Sequence, residues 1–142
     1  MWSFLLGMEE KKVEKIEEVV EKVNNETKKD PKEAILEKTG KEYFNSGEDE
    51  FKKGRFNSSV VLFFKAQTSF TDLFLLKKIG MVPSSHNTRF KVTKEKFSEI
   101  YDLLDKNFPF YQDSYTKIMS KELSEVIKND AENVAKKAEI KL

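Results

Sequence analysis

One stretch decides the fold of this chain: NSSVVLFFKAQTSFTDLFLLKKI, which spans residues 57–79. If it is helical, one side carries Val60, Phe63, Phe64, Phe70 and Phe74, and a second side carries Leu62, Ala66, Leu73 and Leu76. A helix that is apolar on two sides has to be surrounded by other elements. We therefore predict that residues 57–79 form the central helix of a bundle.

The segments before this stretch also show helical periodicity. From Glu9 to about Lys29, valine and isoleucine recur at helical spacing among Glu and Lys, which predicts a charged helix with a narrow apolar stripe. Asp30 and Pro31 are typical of a helix start, so a second helix is expected to continue to about Lys53, with a break near Gly40 or Gly47.

The segments after it predict further helices. We expect the longest loop at residues 80–89 and a helix that Thr93 caps and that continues to Phe108. Pro109 is expected to start a new segment, and Ser120 or Lys121 to open the last helix. Only three prolines and five glycines are present, too few for the many turns of a β-sandwich. The expected fold is all-α, an antiparallel bundle of five or six helices.

Composition narrows the classes of function. A net charge of +1 gives no overall electrostatic field that would attract nucleic acid or membranes. Arg55 and Arg89 are the only arginines. The chain has no cysteine, which excludes disulfides and thiol chemistry. The absence of cysteine also fits the expectation of a cytoplasmic protein. The apolar start, residues 1–8, has no positive leader and is too short to span a bilayer, so we expect no membrane association. We expect Trp2, Phe4 and Leu5 to pack on the domain or on a partner subunit.

The sequence predicts no self-sufficient catalytic site. It contains no phosphate-binding glycine loop, dinucleotide fingerprint, serine-centred elbow or metal-protease helix. With a single histidine and no cysteine, a zinc site would consist mostly of carboxylates, so we predict neither a metal site nor a cofactor.

Acid–base chemistry near neutral pH would have to involve His86, the only histidine. Arg89 follows three residues later, so that an Arg could hold a phosphate while the His moves a proton. The alternative is that His86 bonds a neighbouring helix end and that Arg89 pairs with an acidic residue. These residues alone favour the second interpretation.

A polar strip on the predicted central helix is a second candidate site. Ser58, Lys65, Thr68 and Asp72 share one helical face. The strip would either line a groove that takes a ligand or simply be the solvent-facing edge of the helix, which is the commoner case.

Aromatic residues near the end of the chain also allow two interpretations. Phe110, Tyr111 and Tyr115, with Lys106 and Lys117 nearby, have the composition of a base-stacking platform. Their spacing equally suits burial in a helical core, which is the interpretation that we favour.

The stretch from Tyr43 to about Leu123 resembles a HEPN domain, the helical nucleotide-binding family of higher eukaryotes and prokaryotes. The resemblance is carried by EFKKGRFNSSV (residues 50–60), FFKAQ (63–67), LFLLKKIG (73–80) and VPSSH (82–86). It implies an N-terminal helical extension over residues 1–42 and a HEPN-like bundle over residues 43–142, and we expect the two to form one compact domain overall.

The resemblance also implies a bundle that often dimerises and associates with small nucleotidyltransferases or with RNA. Nucleases of this family carry an Arg, a gap of a few residues and then a His. Here Arg89 follows His86 and Arg55 lies far upstream, so this motif is not present in order, and the resemblance points to the non-catalytic branch.

Three hypotheses follow. The first is a homodimeric binding module that contacts a nucleotide, RNA or a partner protein such as a nucleotidyltransferase through Lys65, Asp72, Ser85, His86 and Arg89. The second is a metal-independent endoribonuclease in which His86 is the general acid–base and Arg89 holds the phosphate. The third is a structural protein in which the charged helix over residues 9–29 and the apolar N-terminus make the oligomer contacts.

Overall fold

In a computed structural model of the protein, the described residues are 9–19 and 30–142, and they contain six helices and no strand. The helices are α1 (residues 9–19), α2 (Pro31–Lys52), α3 (Phe56–Ile79), α4 (His86–Lys96), α5 (Ser98–Asp113) and α6 (Lys121–Lys137). The prediction of an all-α bundle is therefore confirmed. The predictions for the apolar residues 1–8 and for a helix across residues 20–29 lie outside the described residues.

The chain divides into two compact units, Met1–Ala34 and Ile35–Leu142. The larger unit holds all but the first turn of α2 together with α3 to α6. The organisation suggested by the family resemblance, an extension over residues 1–42 and a bundle over 43–142, stays a prediction.

Helix α3 is the core of the larger unit, as its sequence predicts. The buried apolar residues of α3 are Val60, Phe63, Phe64, Ala66, Phe70, Leu73, Phe74 and Leu75. The helix packs against α5 and, most extensively, against α6. Its length and composition alone would also suit a membrane span, but 72% of its most apolar window is buried inside the protein, as expected for the core helix of a bundle.

Two glycines of α2 leave room for aromatic rings of α3 to pack against the backbone of α2. A Cβ atom built on Gly40 would lie 2.5 Å from the Phe70 ring, and one on Gly47 would lie 2.8 Å from the Phe63 ring. Both glycines lie inside a continuous helix, so the break that we expected near one of them does not occur. They serve as contact surfaces for aromatic rings, because a side chain would fill the space that the rings occupy.

The expected loop at residues 80–89 is shorter than predicted. Helix α4 begins at His86, because the Ser85 hydroxyl accepts a hydrogen bond from the Thr88 backbone N–H at 3.2 Å and so caps the helix. His86 and Arg89 are therefore helical residues. Thr93 caps no helix; it is buried inside α4, where its hydroxyl donates to the Arg89 carbonyl at 2.8 Å.

Pro109 does not start a new segment but lies inside α5. A proline within a helix removes one backbone donor, here the one that would reach the Asp105 carbonyl. Both residues are exposed, so that carbonyl can be solvated. The predicted start of the last helix is confirmed, since the Ser120 hydroxyl accepts from the Leu123 N–H at 3.1 Å and caps α6.

Candidate functional site

Two of the predicted site residues, Asp72 and Arg89, form a paired unit between α3 and α4. Arg89 Nε donates to Asp72 Oδ1 at 2.7 Å and Arg89 Nη2 donates to Asp72 Oδ2 at 2.8 Å. Only 11% of the Arg89 side chain and 10% of the Asp72 side chain are exposed. Two parallel bonds between planar groups are the strongest geometry for such a pair, so the guanidinium is fixed in orientation.

His86 is attached to this unit from the exposed side. Arg89 Nη1 lies 3.0 Å from His86 Nδ1, and because a guanidinium can only donate, Nδ1 is the acceptor. The neutral ring then carries its proton on Nε2, which has no hydrogen-bond partner in the part of the chain that the structure describes. We call Asp72, Arg89 and His86 the Asp72 cluster.

The surroundings of His86 favour the neutral imidazole. Partial burial lowers the pKa of His86 below its ordinary value, the positive charge of Arg89 acts in the same direction, and the Asp72 carboxylate partly opposes both. The ring is therefore neutral at neutral pH and presents an Nε2–H donor to solvent.

A row of aromatic rings extends from His86 along α5. The centroid of the His86 ring lies 5.5 Å from that of Phe108, Phe108 lies 6.3 Å from Tyr111, and Tyr111 lies 5.7 Å from Tyr115. Phe108 and Tyr111 are half-buried, and Tyr111 stacks on Phe64 of the core at 4.8 Å. Tyr115 is 71% exposed and His86 is exposed as well, so the middle of the row packs on the core and both of its ends face solvent. We call these four residues the aromatic row.

Asn57 of α3 holds the backbone around Tyr115, the exposed end of the row. The Asn57 amide donates to the Ser114 carbonyl at 2.9 Å and to the Lys117 carbonyl at 2.7 Å, and it accepts from the Met119 N–H at 2.9 Å. The Tyr115 hydroxyl lies 3.1 Å from that of Tyr111, and this hydrogen bond raises the pKa of Tyr111. The Tyr111 hydroxyl therefore stays protonated near neutral pH, and Tyr115 is exposed in a fixed position.

The remaining predicted site residues are placed differently. Ser85 precedes His86, but its hydroxyl is engaged by Thr88, so it supports the helix start beside the cluster. Lys65 is exposed, and its ammonium lies over the Tyr43 ring of α2 at 5.8 Å. It lies about two helical turns, roughly 10 Å, along α3 from Asp72, so the structure brings together Asp72, Ser85, His86 and Arg89 but not Lys65.

The polar strip on α3 is not uniform. Ser58 is exposed, and the half-buried Thr68 donates to the Lys65 carbonyl at 2.9 Å within its own helix. Asp72 is buried by its pairing with Arg89. The strip is thus solvent-facing at its beginning and closed by the Asp72 cluster at its end.

A second polar cluster was not predicted from the sequence. Asn107 Nδ2 donates to Gln67 Oε1 at 3.0 Å and to Asp130 Oδ2 at 2.9 Å, and Lys106 Nζ pairs with the same carboxylate oxygen at 2.7 Å. Gln67 and Asn107 are fully buried, and Gln67 Nε2 and Asn107 Oδ1 have no partner. We call these four residues the Gln67 cluster.

The signal for this second cluster was visible in the sequence without being decisive. Gln67 interrupts the apolar faces of residues 57–79, and Asn107 precedes Phe108 in an amphipathic helix. A lone amide in an apolar pattern indicates a buried hydrogen bond, but its partners lie far away in the chain and the pattern does not name them.

Residues 9–19 and 30–142 contain no group of three or more His, Asp or Glu side chains arranged to hold a metal ion. No protein-family model matches this chain, and no curated protein matches it either.

Proposed function

We propose that this protein is a binding module that recognises a nucleotide or single-stranded RNA through His86 and the aromatic row. The observation that carries the proposal is the hydrogen bond from Arg89 Nη1 to His86 Nδ1, with the guanidinium itself clamped by Asp72. This chain of contacts fixes an exposed imidazole with its Nε2–H directed outward. Such a donor suits the acceptors of a nucleotide, namely phosphate oxygens and base carbonyls.

The same geometry favours binding over cleavage. A histidine acting as general base must offer a free nitrogen lone pair to the proton that it removes. In His86 the Nδ1 lone pair is occupied by Arg89, and the other nitrogen carries the proton. Arg89 also donates two hydrogen bonds to Asp72, so these two N–H groups are not free to bind a phosphate in a bidentate manner. An endoribonuclease with these residues would first have to break the Asp72 cluster.

The aromatic row supports a ligand with flat bases. Single-stranded nucleic acid is bound by stacking bases on aromatic side chains, and each such contact contributes about 1–3 kcal/mol. Tyr115 is exposed and fixed by the Asn57 contacts, while His86 provides a second exposed ring at the other end of the row. The sequence-based interpretation of Phe110, Tyr111 and Tyr115 as core residues fits Phe110 and Tyr111, which pack partly buried against the core, but not Tyr115, which is exposed.

The test combines binding and histidine spectroscopy. Adenosine monophosphate and a six-nucleotide single-stranded RNA are titrated into the protein while the ring nitrogens of His86 are followed by NMR. We expect an Nε2–H tautomer in the free protein and a shift of the Nε2 signal on binding. His86→Gln and Tyr115→Ala should each weaken binding about tenfold, corresponding to about 1.4 kcal/mol.

The matched control is Asn129→Ala, an exposed polar truncation on α6 outside both clusters and the row, which should bind like the parent protein. Unchanged binding by His86→Gln and Tyr115→Ala would remove the site assignment. Cleavage of labelled RNA between pH 6 and pH 8 that is lost in His86→Gln would establish the endoribonuclease instead.

A further inference from the structure

A surface cavity opens where three helices of the larger unit end. The last turns of α3, α4 and α6 line it together with the first turn of α5, and its volume is about 450 Å³. Small-molecule binding sites have volumes of about 300–1,000 Å³, so the cavity is large enough for a compact ligand. We call it the Lys78 cavity, after one of the residues on its rim.

The floor of the Lys78 cavity is apolar. Ile100 and Phe74 are buried, and the half-buried Phe97 packs edge-on against Phe74 with the ring centroids 4.9 Å apart. Charges beside an apolar wall are less well screened than charges that water surrounds, so the charged residues on the rim act more strongly on a ligand in the cavity.

The rim of the Lys78 cavity has an excess of positive charge. Lys78, Lys96 and Lys137 come from three different helices, and Glu99 is the only acidic residue among the described residues that line the cavity. Three lysines and one glutamate give a formal charge of +2, whereas the whole chain has a net charge of +1. The helix dipole favours a lysine in the last turn of each helix, but it does not require that three of them meet at one cavity.

Only one of the three lysines is neutralised. Lys137 Nζ lies 2.6 Å from Glu99 Oε2 and forms an ion pair with it. Lys78 Nζ lies over the Phe74 ring, 5.9 Å from its centroid, which keeps the ammonium group beside the cavity. Neither Lys78 nor Lys96 forms an ion pair with a residue of the ranges 9–19 and 30–142, so two positive charges remain available to a ligand.

A second cavity provides a comparison within the same bundle. It lies at the end of α6 and is larger, about 660 Å³, but its two lysines, Lys136 and Lys141, are matched by Glu132 and Glu139. An excess of positive charge is therefore not a general property of the surface cavities of this bundle. It distinguishes the Lys78 cavity.

We propose that the Lys78 cavity binds the phosphate group of a small phosphorylated molecule. A phosphate monoester has a charge of about −1.5 to −2 at neutral pH, which matches two unpaired lysines better than the single charge of a carboxylate does. Lysine binds phosphate as a point charge and needs no planar partner. The proposal goes beyond the binding of nucleotides or RNA by His86 and the aromatic row, because the cavity lies at the opposite end of α5.

Titration of inorganic phosphate into the full chain, at pH 7.5 and constant ionic strength, tests the proposal. We expect saturable shifts of the Ser98 and Ile100 amide signals in NMR spectra, because both residues line the cavity. Acetate should bind about fivefold more weakly, because it carries less charge.

Single neutralising variants test the two unpaired lysines. Lys78→Gln and Lys96→Gln should each raise the Kd for phosphate about fivefold, because each removes one charge from the rim. Lys141→Gln is the matched control, because it changes the net charge equally but lies at the second cavity, and it should bind phosphate like the parent protein.

Glu99→Gln should change the affinity in the opposite direction. Glu99 is 80% exposed, so its replacement leaves the core intact, and it releases Lys137 from the ion pair. The formal charge of the rim rises from +2 to +3, and phosphate should bind about threefold more tightly. A purely structural role of the Lys137–Glu99 pair predicts no gain in affinity, so unchanged or weaker binding would contradict the assignment of this rim.

Three further results would overturn the proposal. These are the absence of saturable phosphate binding, binding of acetate as tight as that of phosphate, and equal Kd values for Lys78→Gln, Lys96→Gln and Lys141→Gln. None of these measurements involves His86 or Tyr115, so this proposal and the proposed function fail separately.

Discussion

Two polar clusters extend from the same core helix, α3, and they differ in how completely their groups are paired. In the Asp72 cluster both carboxylate oxygens accept from Arg89, and the contacts end at an exposed ring. In the Gln67 cluster the carboxylate of Asp130 is shared by Asn107 and Lys106, while one atom of Gln67 and one of Asn107 are buried without a partner.

The two clusters illustrate two different roles of buried polar side chains. A bidentate pair at the edge of the core is rigid and can hold an exposed residue such as His86 in one orientation. A network of amides inside the core links α3, α5 and α6 and restricts how they pack, at the cost of atoms that lose their hydrogen bonds to water. The first arrangement suits ligand binding, and the second suits the specification of the fold.

The largest expected effect comes from breaking the Asp72 cluster. Arg89→Ala leaves the buried Asp72 carboxylate without its cation and should lower the free energy of unfolding by about 3 kcal/mol, because an unpaired buried charge is far more costly than the pair is favourable. Urea denaturation followed by circular dichroism measures the change.

The control is the double variant Asp72→Leu with Arg89→Met, which removes both charges and keeps apolar volume. It should recover most of the lost stability, because no unpaired charge is left. If Arg89→Ala cost less than 1 kcal/mol, the pair would have to be solvated and could not be the fixed support that we infer for His86.

A smaller effect is expected in the Gln67 cluster. Asn107→Ala removes the donor to both Gln67 and Asp130 and leaves a small cavity, which should cost about 2 kcal/mol of unfolding free energy. Gln67→Met keeps the volume and removes a buried N–H that already lacks a partner, but it also removes the Oε1 acceptor of one Asn107 hydrogen bond, so its cost should be about 1 kcal/mol, smaller than that of Asn107→Ala, which breaks two bonds. Urea denaturation of both variants checks the order; equal costs would mean that Gln67 Nε2 is paired with an internal water.

Much of the fold follows from local patterns in the sequence. The two apolar sides of residues 57–79 predicted the core position of α3, and Ser120 correctly indicated the start of α6. The sequence does not indicate the start of α4, because Pro83 and two serines give the residues before His86 a loop-like composition that masks Ser85 as the helix cap. It suggests a helix break at Pro109 that does not occur, because a single exposed proline is tolerated within α5.

The candidate site was predictable only in part. The coincidence of His86, Arg89 and Asp72 was visible once residues were placed on helical faces, and the interpretation that Arg89 pairs with an acidic residue agrees with the structure. The partners of Gln67 lie far away in the chain, and the tautomer of His86 depends on how Asp72 of α3 orients Arg89. Patterns within single helices do not contain that information.

The smallest expected effect is a pH dependence that is specific to the Asp72 cluster. The pKa of His86 is lowered in the folded protein, whereas the unfolded chain titrates near its ordinary value of about 6.5. Below that value the unfolded state binds more protons than the folded state, so the free energy of unfolding should fall as the pH drops from 7.5 to 5.5. Protonation of Nδ1 would also break the bond from Arg89.

Urea denaturation across this range, where carboxylates contribute little, measures the slope of the unfolding free energy against pH, and His86→Gln should abolish it. A slope of the same size in His86→Gln would place the titrating group elsewhere, and a rise in stability towards acid pH would mean that Asp72, and not burial and Arg89, dominates the environment of the ring.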